Sequence, residues 1–182
     1  ALYIVTSVDE ETRKRFAANL EEEAAGRGGE SGKRLGDLEA ELKADIDRNR
    51  DELTAALKET KAELEAQRAT RTEEIVTAAQ AVEARLAELK TGAAEESIVF
   101  EPTGEVIVAA GDKGGKTATA KLRSVVSAET ERVNEEIQSR ERDEEVAVEQ
   151  KVADLRAAMD ETVRAEKDQL KEQAQGLKDE LR

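Results

Sequence analysis

Histidine, cysteine and tryptophan are absent from this chain of 182 residues, and it holds a single Pro and a single Met. Without cysteine there is no disulfide or thiolate–metal framework, and the redox compartment is left open. Without His or Cys the usual general base and nucleophile are missing. The abundant carboxylates fall on what should be solvated helix faces, where nothing separates the pKa values of a pair. No catalytic residue, metal site or cofactor is therefore expected, and the chain reads as a non-enzyme. Aromatics make up only 2% of the residues; Tyr3, Phe16 and Phe100 are the whole supply. A compact domain of this length normally buries several such rings.

Basic charge is also in short supply. Forty-three acids against 29 bases give a formal charge of −14. Nucleic acid is not an expected partner, because phosphate contacts need a basic surface, and an anionic bilayer surface is disfavoured for the same reason. No apolar run reaches the roughly 18 residues of a transmembrane helix.

What is present is charge, alanine and leucine: 40% of the residues are Asp, Glu, Lys or Arg. That composition means long helices or coiled coil if the apolar residues are periodic, and disorder if they are not. They are periodic. Leu42, Leu53, Leu64, Ile75 and Leu86 stand 11 residues apart, as do Val126, Ile137, Val148, Met159, Leu170 and Leu181. Supporting apolar residues follow four places on (Ile46, Leu57, Val152, Val163) and seven places on (Val82, Val133, Leu155, Leu177). Eleven residues over three turns is 3.67 per turn, so such a stripe stays nearly straight or winds gently right-handed. Asn49, Thr60, Arg68 and Arg71 are polar occupants that thin the first stripe.

The organisation read from these signals begins with residues 1–8, ALYIVTSV, as an N-terminal strand. Ser7 and Glu10 have the spacing of a capping box, so a short helix is expected over 9–25. Residues 26–32, GRGGESG, read as a glycine-rich hinge. A first long helix over 33–92 follows, then a β-hairpin over 97–110 turning at Glu101-Pro102-Thr103-Gly104. A glycine-rich turn at 111–116 leads into a second long helix over 117–182. The fold class is mostly α: two long helices with 11-residue repeats, each about 90–100 Å long at 1.5 Å per residue, forming an elongated coiled-coil hairpin or bundle. A short N-terminal strand and a central β-hairpin complete it. Acid-then-base pairs four apart, such as Glu39 with Lys43 and Glu136 with Arg140, suit solvated faces and contribute a few tenths of a kcal/mol each.

Residues 106–117, VIVAAGDKGGKT, raise a nucleotide question. Gly111, Gly114, Gly115, Lys116 and Thr117 satisfy the permissive form of a phosphate-binding loop. A working loop also needs a parallel sheet and an acid on a neighbouring strand to hold magnesium, and no β-type segment follows Thr117. Ala110 replaces the first glycine of the stricter pattern. The same letters serve a turn from strand to helix, since glycine admits positive φ. Lys113, Lys116, Lys121 and Arg123 form a local basic cluster beside it.

One hairpin of helices gives a narrow core, so the stripes should be covered by helices from other chains, either further copies or related coiled-coil chains. Leu2, Tyr3, Ile4 and Val5 would form a strand with no partner nearby. Pairing with Ile98, Val99, Phe100, Val106, Ile107 and Val108 of a neighbour would supply one, as in β-augmentation. A head-to-tail contact of that kind generates filaments or lattices. The expected function is therefore a structural coiled-coil subunit of a filamentous or lattice-like homo-assembly. Two alternatives stand beside it: an amphipathic-helix protein that coats lipid or protects against drying, and a nucleotide-binding factor using the 110–117 loop.

Overall fold

The computed structural model describes the backbone of residues 2–89 and 92–180, and the side chains of these except residues 2–11, 20, 24, 177, 178 and 180. Two long helices bracket a two-stranded antiparallel sheet: α1 over Leu2–Leu89, β1 over Ile98–Phe100, β2 over Glu105–Val108 and α2 over Lys116–Glu180. The chain divides into two compact units, residues 54–148 (the hairpin unit) and residues 1–53 with 149–182 (the terminal unit).

The hairpin unit holds a continuous core. Leu64, Ile75 and Val82 come from α1, Ala118, Leu122, Val125, Val133 and Ile137 from α2, and Ala94, Ile98, Phe100, Ile107 and Val108 from the segment between. Phe100 and Ile137 have no solvent access at all. In the sheet Ile98 pairs with Val108, Val99 with Val106 and Phe100 with Glu105. The register shifts between the first two pairs, leaving Ile107 as an extra residue on β2. Strict alternation would send neighbours to opposite faces; the bulge lets Ile107 and Val108 both reach the core. At the tip, the Gly104 N–H donates to the Phe100 carbonyl (2.9 Å) with φ at 69°, a left-handed position suited to glycine.

The terminal unit is thinner. Among its described side chains the buried apolar ones are Ile46 and Val163. Leu35, Leu38, Leu42, Leu53, Val152, Leu155, Met159 and Leu170 are half-buried. Ion pairs between Arg34 Nε and Glu166 (3.2 Å) and between Lys167 and Glu39 (3.6 Å) join its two helices.

The N-terminal strand, the separate short helix and the glycine hinge are not found, because α1 runs unbroken from Leu2. Leu2, Tyr3, Ile4 and Val5 are helical, and the Ser7–Glu10 spacing marks no helix start. The preference of β-branched residues for strands measures fit to a pleated, half-buried surface, and β1 and β2, the strands among the described residues, belong to the hairpin unit. With no sheet edge among the described residues of the terminal unit, extending an existing helix adds one hydrogen bond per residue at a propensity cost of tenths of a kcal/mol. Gly26, Gly28, Gly29 and Gly32 are likewise absorbed into α1. A glycine costs about 1 kcal/mol relative to alanine in a helix interior, which weakens a long helix without ending it.

Candidate assembly interface

The two helical stripes are the feature around which any interaction must be built. In α1, positions 53, 57, 60, 64, 68, 71, 75, 79, 82 and 86 are buried or half-buried. In α2 the same holds at 148, 152, 155, 159, 163, 166 and 170. Steps of four, three and four recur in both sets, and each set includes residues set 11 apart. Leu64, Ile75 and Ile137 are buried, whereas Leu42, Leu53, Leu86, Val126, Val148, Met159 and Leu170 keep part of their surface in solvent. Leu181 lies outside the described residues.

Charge fixes the register within the hairpin unit. Lys61 pairs with Glu145, Arg68 with Glu141 (3.5 Å) and Arg71 with Glu136 (3.0 Å), while Arg140 donates to Gln67 (3.0 Å). Each contact joins α1 to an antiparallel α2. The hydrogen bond from Lys61 to Glu145 raises the lysine pKa above its ordinary range. Arg68 and Arg71, polar occupants that thin the stripe on sequence grounds, are therefore the residues that tie it across. Glu136 and Glu39 also reach basic side chains on the opposite helix, Arg71 and Lys167, so neither is confined to a solvated face. The readable signal was positional: Arg68 lies four residues after Leu64, and Glu141 four after Ile137, so an acid and a base share equivalent places on the two stripes.

Glu129 is the one buried charged residue among the described side chains, with 9% of its side chain exposed. Arg132 holds it in a fork, Nε to Oε2 at 2.8 Å and Nη2 to Oε1 at 2.6 Å. These bonds, followed by the charges of Arg132 and Arg71, keep its carboxyl below the usual carboxylate range despite burial.

The cap of the hairpin unit accounts for the glycine loop. The Gly111 N–H donates to the Ala94 carbonyl (2.7 Å), the Ala94 N–H to the Asp112 carbonyl (2.8 Å) and the Asp112 N–H to the Ala109 carbonyl (3.0 Å). Gly111 and Gly115 take φ of 88° and 124°. A Cβ on Gly114 would meet Leu89 Cδ1 at 3.3 Å, so that glycine allows the loop to close over the end of α1. Lys116 opens α2, and Thr117 sits in its first turn rather than capping it. The Gly115 carbonyl instead accepts from the Thr119 N–H (3.0 Å) and hydroxyl (3.2 Å). The preceding strand belongs to a two-stranded antiparallel sheet, and a phosphate seated on the Gly111 or Asp112 amide would displace an existing bond. Beside the loop, Lys121 Nζ donates to the Val106 carbonyl (2.6 Å), covering an outward-facing acceptor of β2.

Among the described residues no group of three or more acidic side chains is placed to hold a metal ion, and no helix is long and apolar enough to cross a membrane. Comparison of the chain with protein-family models, curated proteins and solved structures finds no match.

Proposed function

We propose that this protein is a structural coiled-coil subunit that self-associates, its stripes being completed by helices of neighbouring copies. The observation that carries this reading is the half-burial of Leu42, Leu53, Leu86, Val126, Val148, Met159 and Leu170. Full burial of a Leu, Val or Met stabilises by about 1.5–3 kcal/mol relative to exposure, so each of these retains on the order of 1 kcal/mol for a partner helix to collect. Residues 2–5 are helical, so there is no N-terminal strand at that place to exchange between copies. Association by lateral helix packing replaces strand exchange, with a neighbouring copy as the covering partner.

The hairpin unit favours this reading over a helix that folds only on lipid. Its core around Phe100 joins two helices to a sheet without any outside surface. Sedimentation equilibrium of the full chain over a wide concentration range, with circular dichroism in lipid-free buffer, tests it. The expected result is full helicity without lipid and a mass that rises above the 19.9 kDa monomer. A fully helical chain that stays monomeric throughout would defeat it, as would helix formation that depends on added vesicles.

A further inference from the structure

Every described side chain from Thr12 to Glu30 is exposed, and so is every one from Lys171 to Gly176 on α2. The first covered position of α1 in this region is Ser31. In its described side chains this part of α1 is thus a helix with an uncovered surface, and it holds Phe16, the most exposed of the described large hydrophobic side chains at 66%. Helical spacing places positions 9, 13, 16, 20, 23 and 27 along one stripe. Read in order, that stripe is Asp9, Arg13, Phe16, Leu20, Glu23, Arg27. It is its own electrostatic complement when reversed.

We propose that residues 9–27 of two copies pair antiparallel about a two-fold axis level with Ala18. Position 13 then lies opposite 23 and position 9 opposite 27, so each charge on the stripe meets its opposite and each pairing occurs twice. Position 16 lies opposite 20, which puts an apolar pair on either side of the axis. More broadly, the basic run Arg13-Lys14-Arg15 lies opposite the acidic run Glu21-Glu22-Glu23. A parallel pairing would set Arg13 on Arg13 and Glu23 on Glu23. An antiparallel axis level with Phe16 would set Glu10 on Glu22. Like charges directly opposed disfavour both arrangements. Glu23 and Arg27 already pair along the helix at 2.7 Å, with both side chains more than half exposed, so both remain open to charges from a second helix. The second copy is the occupant because the complement of this stripe is the stripe itself. The proposal rests on self-association but uses a surface separate from the half-buried seams.

Arg13→Glu and Glu23→Arg, each made in the full chain, test it by sedimentation velocity at low ionic strength. Each variant alone opposes like charges twice and is expected to dimerise at least about tenfold more weakly than wild type. An equimolar mixture of the two variants restores both pairings, because one chain is then acidic and the other basic at both positions. The double variant restores them as well. Circular dichroism of each variant checks that the helix persists, and the mixture stays decisive because it contains only the same two chains. Single variants that associate as tightly as wild type, or a mixture no tighter than its components, overturn the antiparallel contact and leave seam association standing. A wild-type chain that is monomeric at every concentration overturns both.

Discussion

Phe100 is the largest fully buried side chain of the hairpin unit and carries much of its cohesion. A buried phenylalanine touches several elements at once, and here the cluster joins β1 to both strands' flanking helices. Phe100→Ala is expected to destabilise by about 3–5 kcal/mol and Ile137→Ala by about 2–5 kcal/mol, read as a lower urea midpoint with little change in slope. Glu129 gives a pH signature at the same scale. Its folded pKa lies below the usual value because Arg132 donates two hydrogen bonds to the carboxylate. Its contribution is therefore fully present above the ordinary carboxylate pKa and is lost as pH falls through the lower, folded value. Thermal melts between neutral and acid pH should show a shallower loss of stability on acidification in Glu129→Gln than in wild type. Equal slopes would remove Glu129 from the acid response.

At the scale of elements, the glycines of α1 invite a stabilising test. A Cβ on Gly26, Gly28, Gly29 or Gly32 would meet nothing within 4 Å, and none of them has a positive φ. Gly28→Ala combined with Gly29→Ala should raise helicity and stabilise by about 0.5–1 kcal/mol per site; a loss of stability would show that the chain needs a bend there. These glycines also mark the limit of what the sequence could convey. The long helices were legible because the 11-residue period extends over enough residues to be distinct, and the β-hairpin because Glu101-Pro102-Thr103-Gly104 spells a turn between two short β-type runs. A short β-branched run such as ALYIVTSV takes its conformation from whether a sheet edge lies near, and that is tertiary information. The roles of Arg68 and Arg71 were hidden for a related reason. A charge on an apolar stripe looks like a gap until the opposing helix brings Glu141 and Glu136 against it. Leu122, Val125 and Ala118 were missed because the β-hairpin covers a second side of α2 there, which widens its buried face beyond one stripe.

For the molecule as a whole, the contrast between the two units makes a prediction that also bears on assembly. Among the described side chains the hairpin unit holds thirteen clustered buried apolar residues, whereas the terminal unit holds Ile46 and Val163. Opening free energy follows the density of buried apolar contacts. Backbone amides around Leu64, Ile75, Val133 and Ile137 should accordingly be the last to exchange with deuterium, and those around Leu42, Met159 and Leu170 among the first. If neighbouring copies cover the half-buried stripes, protection in the terminal unit must rise with protein concentration, because association stabilises whatever it buries by mass action. Protection at Leu64 and Ile137 should change much less, their side chains being already enclosed by their own chain. Exchange followed by mass spectrometry at dilute and concentrated protein separates the cases. A rise confined to residues 9–27 points to the antiparallel N-terminal contact alone, and a rise that includes Leu42, Met159 and Leu170 points to lateral packing of the stripes. Protection that is independent of concentration at all of these positions would mean that the apolar edges of both units remain in water, leaving the 11-residue spacing to serve only the pairing of α1 with α2.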